Sequence, residues 1–117
     1  MNLQYSRGEV VVVPFPFSDL SAAKPRPALV LVDHGGADVV LCQITSQAVH
    51  DSIAIGLTIG DFAQGSLHLE SNIRPNKLFT FDRSRITSRC GRVTPTKFNQ
   101  VIERLIAILR SDGMKSA

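Results

Sequence analysis

The chain has 117 residues, a formal charge of +3, 44% hydrophobic and 20% charged residues, and two cysteines. That length gives a single domain (1–117) with one core; the apolar content argues against disorder, and no run approaches the roughly 20 apolar residues of a membrane span. Two cysteines without metal-ligand spacing exclude a disulfide framework, a start without an apolar signal core points to a soluble cytoplasmic protein, and the mild basic excess is compatible with a polyanionic partner.

Gly8 opens the β-branched run 9–13, which Pro14 and Pro16 close; such prolines confine a strand end to an edge or a bulge. Phe15 and Phe17 alternate with them and offer two rings to one face. Residues 18–25 form a loop of small and polar residues, of a length often used for functional lids. It runs into Lys24-Pro25-Arg26-Pro27. Each proline holds its φ at about −65° and pushes the preceding residue out of the α region, so this backbone is extended and stiff. Residues 28–32 follow as a buried strand. Arg26 is therefore a guanidinium on a rigid support at the mouth of a core strand. Two readings stand: a mounted functional cation, or an arginine whose stem packs over the strand end with its head in water.

A turn at 34–38, with Gly35 and Gly36, leads to a returning strand over 39–44 that ends at Thr45-Ser46-Gln47. This hairpin brings Thr45 back toward the end where Arg26 emerges. Ile53, Ile55, Leu57 and Ile59 alternate with smaller residues and predict a half-buried strand over 53–59, the clearest in the chain. Residues 60–65 read as a loop, Leu67 and Leu69 resume alternation, and 71–75 ends at Pro75. A short strand over 77–81 places Leu78 and Phe79 on opposite faces. Asp82 caps a single helical turn over 82–85. A last strand, 86–93, breaks near Gly91. Thr94 as N-cap and Pro95 at the first position start a helix whose apolar stripe is Phe98, Val101, Ile102, Leu105, Ile108 and Leu109; Gly113 lies just beyond it, and 114–117 is a loose tail. Many short strands with Gly/Pro turns and one closing helix read as a mainly β, small α+β protein: a partly open antiparallel β-barrel with a C-terminal α-helix.

The chain shows no Gly-rich phosphate loop, no acidic dyad at useful spacing and no nucleophile elbow. His34, His50 and His68 are scattered and read as surface or satisfied histidines, and nothing resembles a metal cluster. What remains is a set of cations and hydroxyls at strand ends: Arg26, Thr45, Ser46 and Arg74. Such groups suit metal-free chemistry on a phosphodiester, where positioning and neutralisation of developing charge are the needs. In RNA the 2′-hydroxyl itself supplies the nucleophile.

These residues resemble a known family. Gly8-Glu9-Val10-Val11-Val12-Val13-Pro14-Phe15, Arg26-Pro27-Ala28-Leu29-Val30-Leu31, Ile44-Thr45-Ser46 and Ser71-Asn72-Ile73-Arg74-Pro75-Asn76-Lys77-Leu78-Phe79-Thr80-Phe81-Asp82 look like the ordered blocks of the MazF/PemK (Kid) toxins, continued by Asp82-Arg83-Ser84-Arg85-Ile86 and Gly91-Arg92-Val93. The resemblance implies an SH3-like barrel, a homodimer, and the toxin half of a toxin–antitoxin pair with a cognate antitoxin as partner. It further implies a cofactor-free, metal-independent endoribonuclease that cuts single-stranded RNA to a 2′,3′-cyclic phosphate and a 5′-hydroxyl. The family's catalytic arginine and threonine match Arg26 and Thr45. Arg74 matches the arginine of the Arg-X-Asp unit of the Kid-like branch, whose carboxylate is here Asn76; an amide cannot act as general base, so the base is unassigned. Ser18, Lys24, Ser46, Gln47, Asn76, Lys77 and Arg83 are the expected RNA-binding positions. Thr45 also reads as a turn hydroxyl. Arg83, Arg85, Arg89 and Arg92 read equally as phosphate contacts or a solvated face. The alternative function is a non-enzymatic toxin on the same fold, like the CcdB relatives that poison DNA gyrase by protein contact.

Overall fold

The β-branched runs of the sequence form strands that join into one antiparallel sheet. The computed structural model describes residues 4–16 and 23–112. Phe17, Ser18, most of the 18–25 loop, Gly113 and the 114–117 tail lie outside the described residues. The strands are β1 (Glu9–Pro16), β2 (Ala23–Val32), β3 (Asp38–Thr45), β4 (Ile55–Leu57), β5 (Phe62–Gly65), β6 (Ser71–Asp82) and β7 (Ser88–Val93), followed by helix α1 (Pro95–Arg110). Their order across the sheet is β4-β6-β3-β2-β1-β7-β5, and the sheet curls into a half-barrel left open between β4 and β5. The expected mainly β, partly open architecture with a C-terminal helix is the one observed.

Both faces of the sheet are apolar, which is why adjacent residues such as Val10 and Val11, or Leu29 and Val30, are all fully buried. One face carries Val10, Leu29, Leu31, Cys42, Ile44 and Ile73 and packs against Phe98 and Val101 of α1. The other carries Val11, Val13, Ala28, Val30, Val39 and Leu41, with Tyr5, Phe15, Phe79, Phe81 and Ile86 against them. Each fully buried aliphatic side chain contributes about 1.5–3 kcal/mol on leaving water, so these two clusters carry the fold.

The prolines explain how far β1 and β2 extend. Pro14 pairs with Pro25 and Val12 with Pro27. No proline can donate, so the ladder bonds run through the intervening pairs Val11↔Ala28, Val13↔Arg26 and Phe15↔Lys24. The nitrogens of Pro14, Pro16, Pro25 and Pro27 then face outward, beyond the points where β7 stops at Val12↔Ser88 and β3 stops at Ala28↔Gln43. The prolines do sit on locally unpaired edges, but β1 continues through them rather than closing at Val13.

Four expectations are corrected in the middle of the chain. The strand over 53–59 shrinks to β4, and Ile59 is 76% exposed. Two aspartates bound it: the Asp51 carboxylate accepts from the amides of Ile53 and Ala54, and the Asp61 carboxylate accepts from the Thr58 amide at 2.8 Å, turning Ile59–Asp61 into a 3₁₀ turn. Residues 62–65 are not loop but β5, paired to β7, where Gly65 and Gly91 pass so closely that a Cβ on Gly91 would lie 2.2 Å from the Gln64 carbonyl oxygen. No strand forms at Leu67 and Leu69, and Leu69 is exposed. The segments 71–75 and 77–81 are one strand, β6, which absorbs Pro75 at an irregularity between the pairs Cys42↔Leu78 and Gln43↔Arg74.

Residues 23–25, expected as loop, open β2 because they pair with β1, and the last strand starts at Ser88 rather than at residue 86, while the expected caps hold. Asp82 caps the turn Arg83–Arg85 by accepting from the Ser84 amide at 2.9 Å, Thr94 caps α1 by accepting from the Lys97 amide at 3.1 Å, and Pro95 stands at its start. The last strand is broken by Cys90 as well as Gly91: the register of β1 on β7 passes from Val10↔Gly91 to Val11↔Arg89.

Candidate functional site

Strand register gathers the three residues expected to be catalytic at one end of one sheet face. Ala28, Gln43 and Arg74 form a row across β2, β3 and β6, since Ala28 pairs with Gln43 and Gln43 with Arg74. Cross-strand partners share a face, and Ala28 fixes this one as the face of Val11, Val30 and Leu41. Two residues further along, Thr45 pairs with Asn72, and the same step along β2 reaches Arg26. Arg26 and Thr45 thus occupy neighbouring strands just past the end of the β2–β3 ladder, with Arg74 one row back. Adjacent strands lie about 4.8 Å apart and alternate residues about 6.8 Å along a strand, so the three positions are close neighbours on this face.

The rings of this face stand alongside. Phe15, which pairs with Lys24 next to Arg26, meets Phe79 edge-to-face at 5.3 Å, and Phe79 meets Phe81 at 6.4 Å. Arg85 lies over the Phe81 ring at 5.3 Å.

Thr45 is half-buried and its Oγ1 accepts from the Gln47 amide at 3.2 Å, so it is a turn hydroxyl whose proton stays available. Ser46, Gln47, Lys24, Asn76 and Lys77 are exposed around the same strand ends. Asn72, which sequence reasoning did not single out, donates from Nδ2 to the Gln47 carbonyl at 3.4 Å and ties β6 to the start of the β3–β4 loop.

A second residue missed in the sequence is Asp51. Its Oδ2 accepts from Arg74 Nη2 at 3.3 Å, while its Oδ1 accepts from the Ile53 and Ala54 amides at 3.0 and 2.9 Å. The Ala54 amide above all, then the Ile53 amide and the Arg74 charge, hold this carboxyl below its ordinary range against some desolvation. Arg74 Nε is buried without a hydrogen-bond partner, the one such side-chain atom among the described residues. The faint signal for Asp51 is an aspartate two and three residues before amides that need an acceptor; nothing in the sequence says that its other oxygen meets Arg74.

Arg83 does not join this group. Its Nη1 donates to Asp33 Oδ2 at 2.8 Å, its Nη2 donates to Asp33 Oδ1, and its Nε donates to the Gly36 carbonyl at 2.7 Å. It follows Asp82, which pairs with Asp38, so it stands at the far end of β3 from Thr45. Its donors stitch the β2–β3 turn to the end of β6. Arg89 is likewise directed inward, to the Glu9 carboxylate at 3.1 Å and over the Tyr5 ring at 4.2 Å. The four arginines of 83–92 therefore make no single cationic face. The three histidines are exposed. A cavity of about 450 Å³ near the start of α1, lined by Arg7, Arg92, Val93 and Phe98 among others, belongs to the opposite, helix-covered face.

Comparison with known proteins follows this geometry. A family model described as the PemK-like, MazF-like toxin of type II toxin–antitoxin systems matches residues 6–109. Among solved structures, an endoribonuclease in complex with its cognate antitoxin from a Mycobacterial species is similar at a TM-score of 0.73 and 18% identity, over 91% of this chain and 95% of that one. MazF from Deinococcus radiodurans is similar at 0.72 and 20% identity over 92% and 97%, and the MazE–MazF complex from the same organism at 0.71 and 20% over 90% and 95%. No curated protein matches the chain.

Proposed function

The chain belongs to the PemK-like, MazF-like toxins of type II toxin–antitoxin systems, and from that membership and the geometry above we propose that it is a metal-independent endoribonuclease acting on single-stranded RNA in the cytoplasm. The 2′-hydroxyl loses its proton and forms a bond to phosphorus, the bond from phosphorus to the 5′-oxygen breaks, and the leaving oxygen takes a proton. The products are a 2′,3′-cyclic phosphate and a 5′-hydroxyl. Arg26 neutralises the charge that builds on the phosphate, Thr45 donates its hydroxyl proton to a non-bridging oxygen, and Arg74 supplies a second cation. Phe15 and Phe79 offer rings on which unpaired bases stack, and Lys24, Ser46, Gln47, Asn76 and Lys77 line the strand.

The observation that carries this reading is the register that puts Arg26 and Thr45 side by side on the Arg74 face, beyond the end of the ladder. A protein acting by surface contact alone has no use for two cations and a hydroxyl at neighbouring positions of one sheet face, and the gyrase-binding alternative is not favoured. The proposal includes a homodimer, with the exposed Ile106 and Leu109 of α1 as apolar surface for a second copy, and an antitoxin whose acidic segment covers the cationic strand ends. Among the described residues no helix is long and apolar enough to cross a membrane.

The test is cleavage of a long transcript with mapping of the cut sites and end groups. Discrete cuts that leave cyclic phosphate, and that persist in EDTA, are expected. Intact RNA, 3′-hydroxyl ends or loss of cleavage with EDTA would overturn the reading.

A further inference from the structure

We propose that Asp51 is the positioning residue of the site: it holds the guanidinium of Arg74 in the orientation in which its free edge meets the scissile phosphate. The inference rests on the endoribonuclease reading for its kinetic readout, while the side-chain pairing itself can be tested without RNA.

The argument starts from how the carboxylate is shared. Oδ1 is committed to two loop amides, Ile53 and Ala54, so the side chain is fixed relative to the 46–54 loop. Oδ2 takes one N–H of Arg74. The loop is held in turn by α1, because Arg104 Nη1 donates to the carbonyls of Ser52 and Ile53 at 2.9 and 2.7 Å. Helix, loop and Asp51 thus form one connected support for a cation on β6.

The pairing uses only part of the guanidinium. Its fork of five N–H donors offers two edges to acidic oxygens, and Asp51 is bonded to one Nη alone. The Nε–H is buried with no acceptor. A buried unmade hydrogen bond is destabilising, so the ligand-free site carries a donor that an incoming phosphate oxygen would satisfy after a small rotation. Asn76, in the position where the related branch carries a carboxylate, is exposed and offers Arg74 no charge; Asp51 supplies that charge from a different loop.

Asparagine at position 51 separates this role from the loop's own structure. Asp51→Asn keeps an oxygen for the two amides but presents Arg74 with an amide NH₂ that cannot accept. On an RNA oligonucleotide cut by the wild type, Asp51→Asn should lower kcat about tenfold with KM within about twofold, a loss of transition-state rather than ground-state interaction. In a cycle with Arg74→Ala, the double variant should be no slower than Arg74→Ala alone. In ¹⁵N spectra of RNA-free protein, the Arg74 Nε–H signal should shift and exchange faster in Asp51→Asn. If that variant does not fold, Asp51→Ser keeps a short acceptor for the turn and replaces it throughout. Wild-type kcat in the variant, an additive loss in the Arg74→Ala background, or an unmoved Arg74 signal would overturn the proposal. A wild type that cuts no RNA would overturn the endoribonuclease reading, and the spectra would still decide the pairing.

Discussion

Arg26 stands directly across from Val13 in the β1–β2 ladder, while the prolines on either side of it turn away from that ladder. Its backbone is part of the sheet, and it stands past the last pair of β2 with β3. Under the proposed mechanism, chemistry and folding are thereby separated within one residue.

Arg26→Ala should therefore fold with a melting temperature near that of the wild type and lose RNA cleavage. Removing one donor aimed at developing charge costs on the order of 3 kcal/mol, or about a hundredfold in rate. Arg26→Lys should recover little, since an ammonium does not reproduce the guanidinium fork. Single-turnover rates paired with thermal melts check this; a folded Arg26→Ala that cuts at the wild-type rate removes Arg26 from the mechanism.

Asp33 makes stability depend on acid pH in a stated direction. Hydrogen bonds from Arg83, above all, and then from the Tyr5 and Gly35 amides hold its carboxyl well below the ordinary value of 3.8, against desolvation. A depressed carboxylate contributes stability that is fully present above the ordinary value and is lost as pH falls below it. Asp33→Asn should lower the melting temperature by a constant amount from pH 8 to 5, and the gap to the wild type should begin to narrow below about pH 4 and shrink progressively as the pH falls further. A gap that is unchanged at pH 3 would contradict the assignment.

The β5–β7 pair should tolerate no side chain at its crossing. A Cβ at Gly65 would lie 2.1 Å from the Cys90 carbonyl oxygen at a φ of +68°, and one at Gly91 would meet Gln64. Gly65→Ala and Gly91→Ala should each destabilise by about 1–3 kcal/mol in urea. Gly56→Ala, where a Cβ meets nothing within 4 Å, serves as the control and should unfold at a midpoint close to the wild type.

The thiols should be poorly reactive. Burial pushes Cys42 up to about 12 and raises the half-buried Cys90 as well. Native protein at pH 8 should label slowly and at one thiol at most with a disulfide reagent, and at both in denaturant. Rapid labelling of two thiols in the native protein would show that Cys42 is not sealed in the core.

Much of this fold was legible because its cues are local. The Thr94-Pro95 start and the Asp82 cap each act within four residues, and both are found where the sequence puts them. The 53–59 strand misled because alternation reports a face, not a length; Asp51 and Asp61 cut it short through hydrogen bonds that periodicity does not register. β5 is hidden in the sequence because Phe62–Gly65 is only four residues, mostly exposed and glycine-ended, and its pairing comes wholly from a distant strand. Arg26, Thr45 and Arg74 could be named from motif blocks, and the hairpin brings two of them together. Asp51 could not, since its partner is 23 residues away and no spacing rule links a loop carboxylate to a strand arginine. For Arg83 the sequence shows the charge but not the carboxylate that it meets.

The open half-barrel has one consequence outside the reacting site. A sheet that does not close leaves two border strands, and an unpaired border invites another chain to add itself as a further strand. Here the borders are β4, three residues long and fixed by an aspartate next to each end, and β5, four residues ending at a glycine that no other residue can replace without collision. Neither offers a flat run long enough to template cross-chain growth. The long edge lies instead on β6, which β4 covers only over Ser71–Ile73, and there Pro75 and the register shift beside it interrupt a flat run.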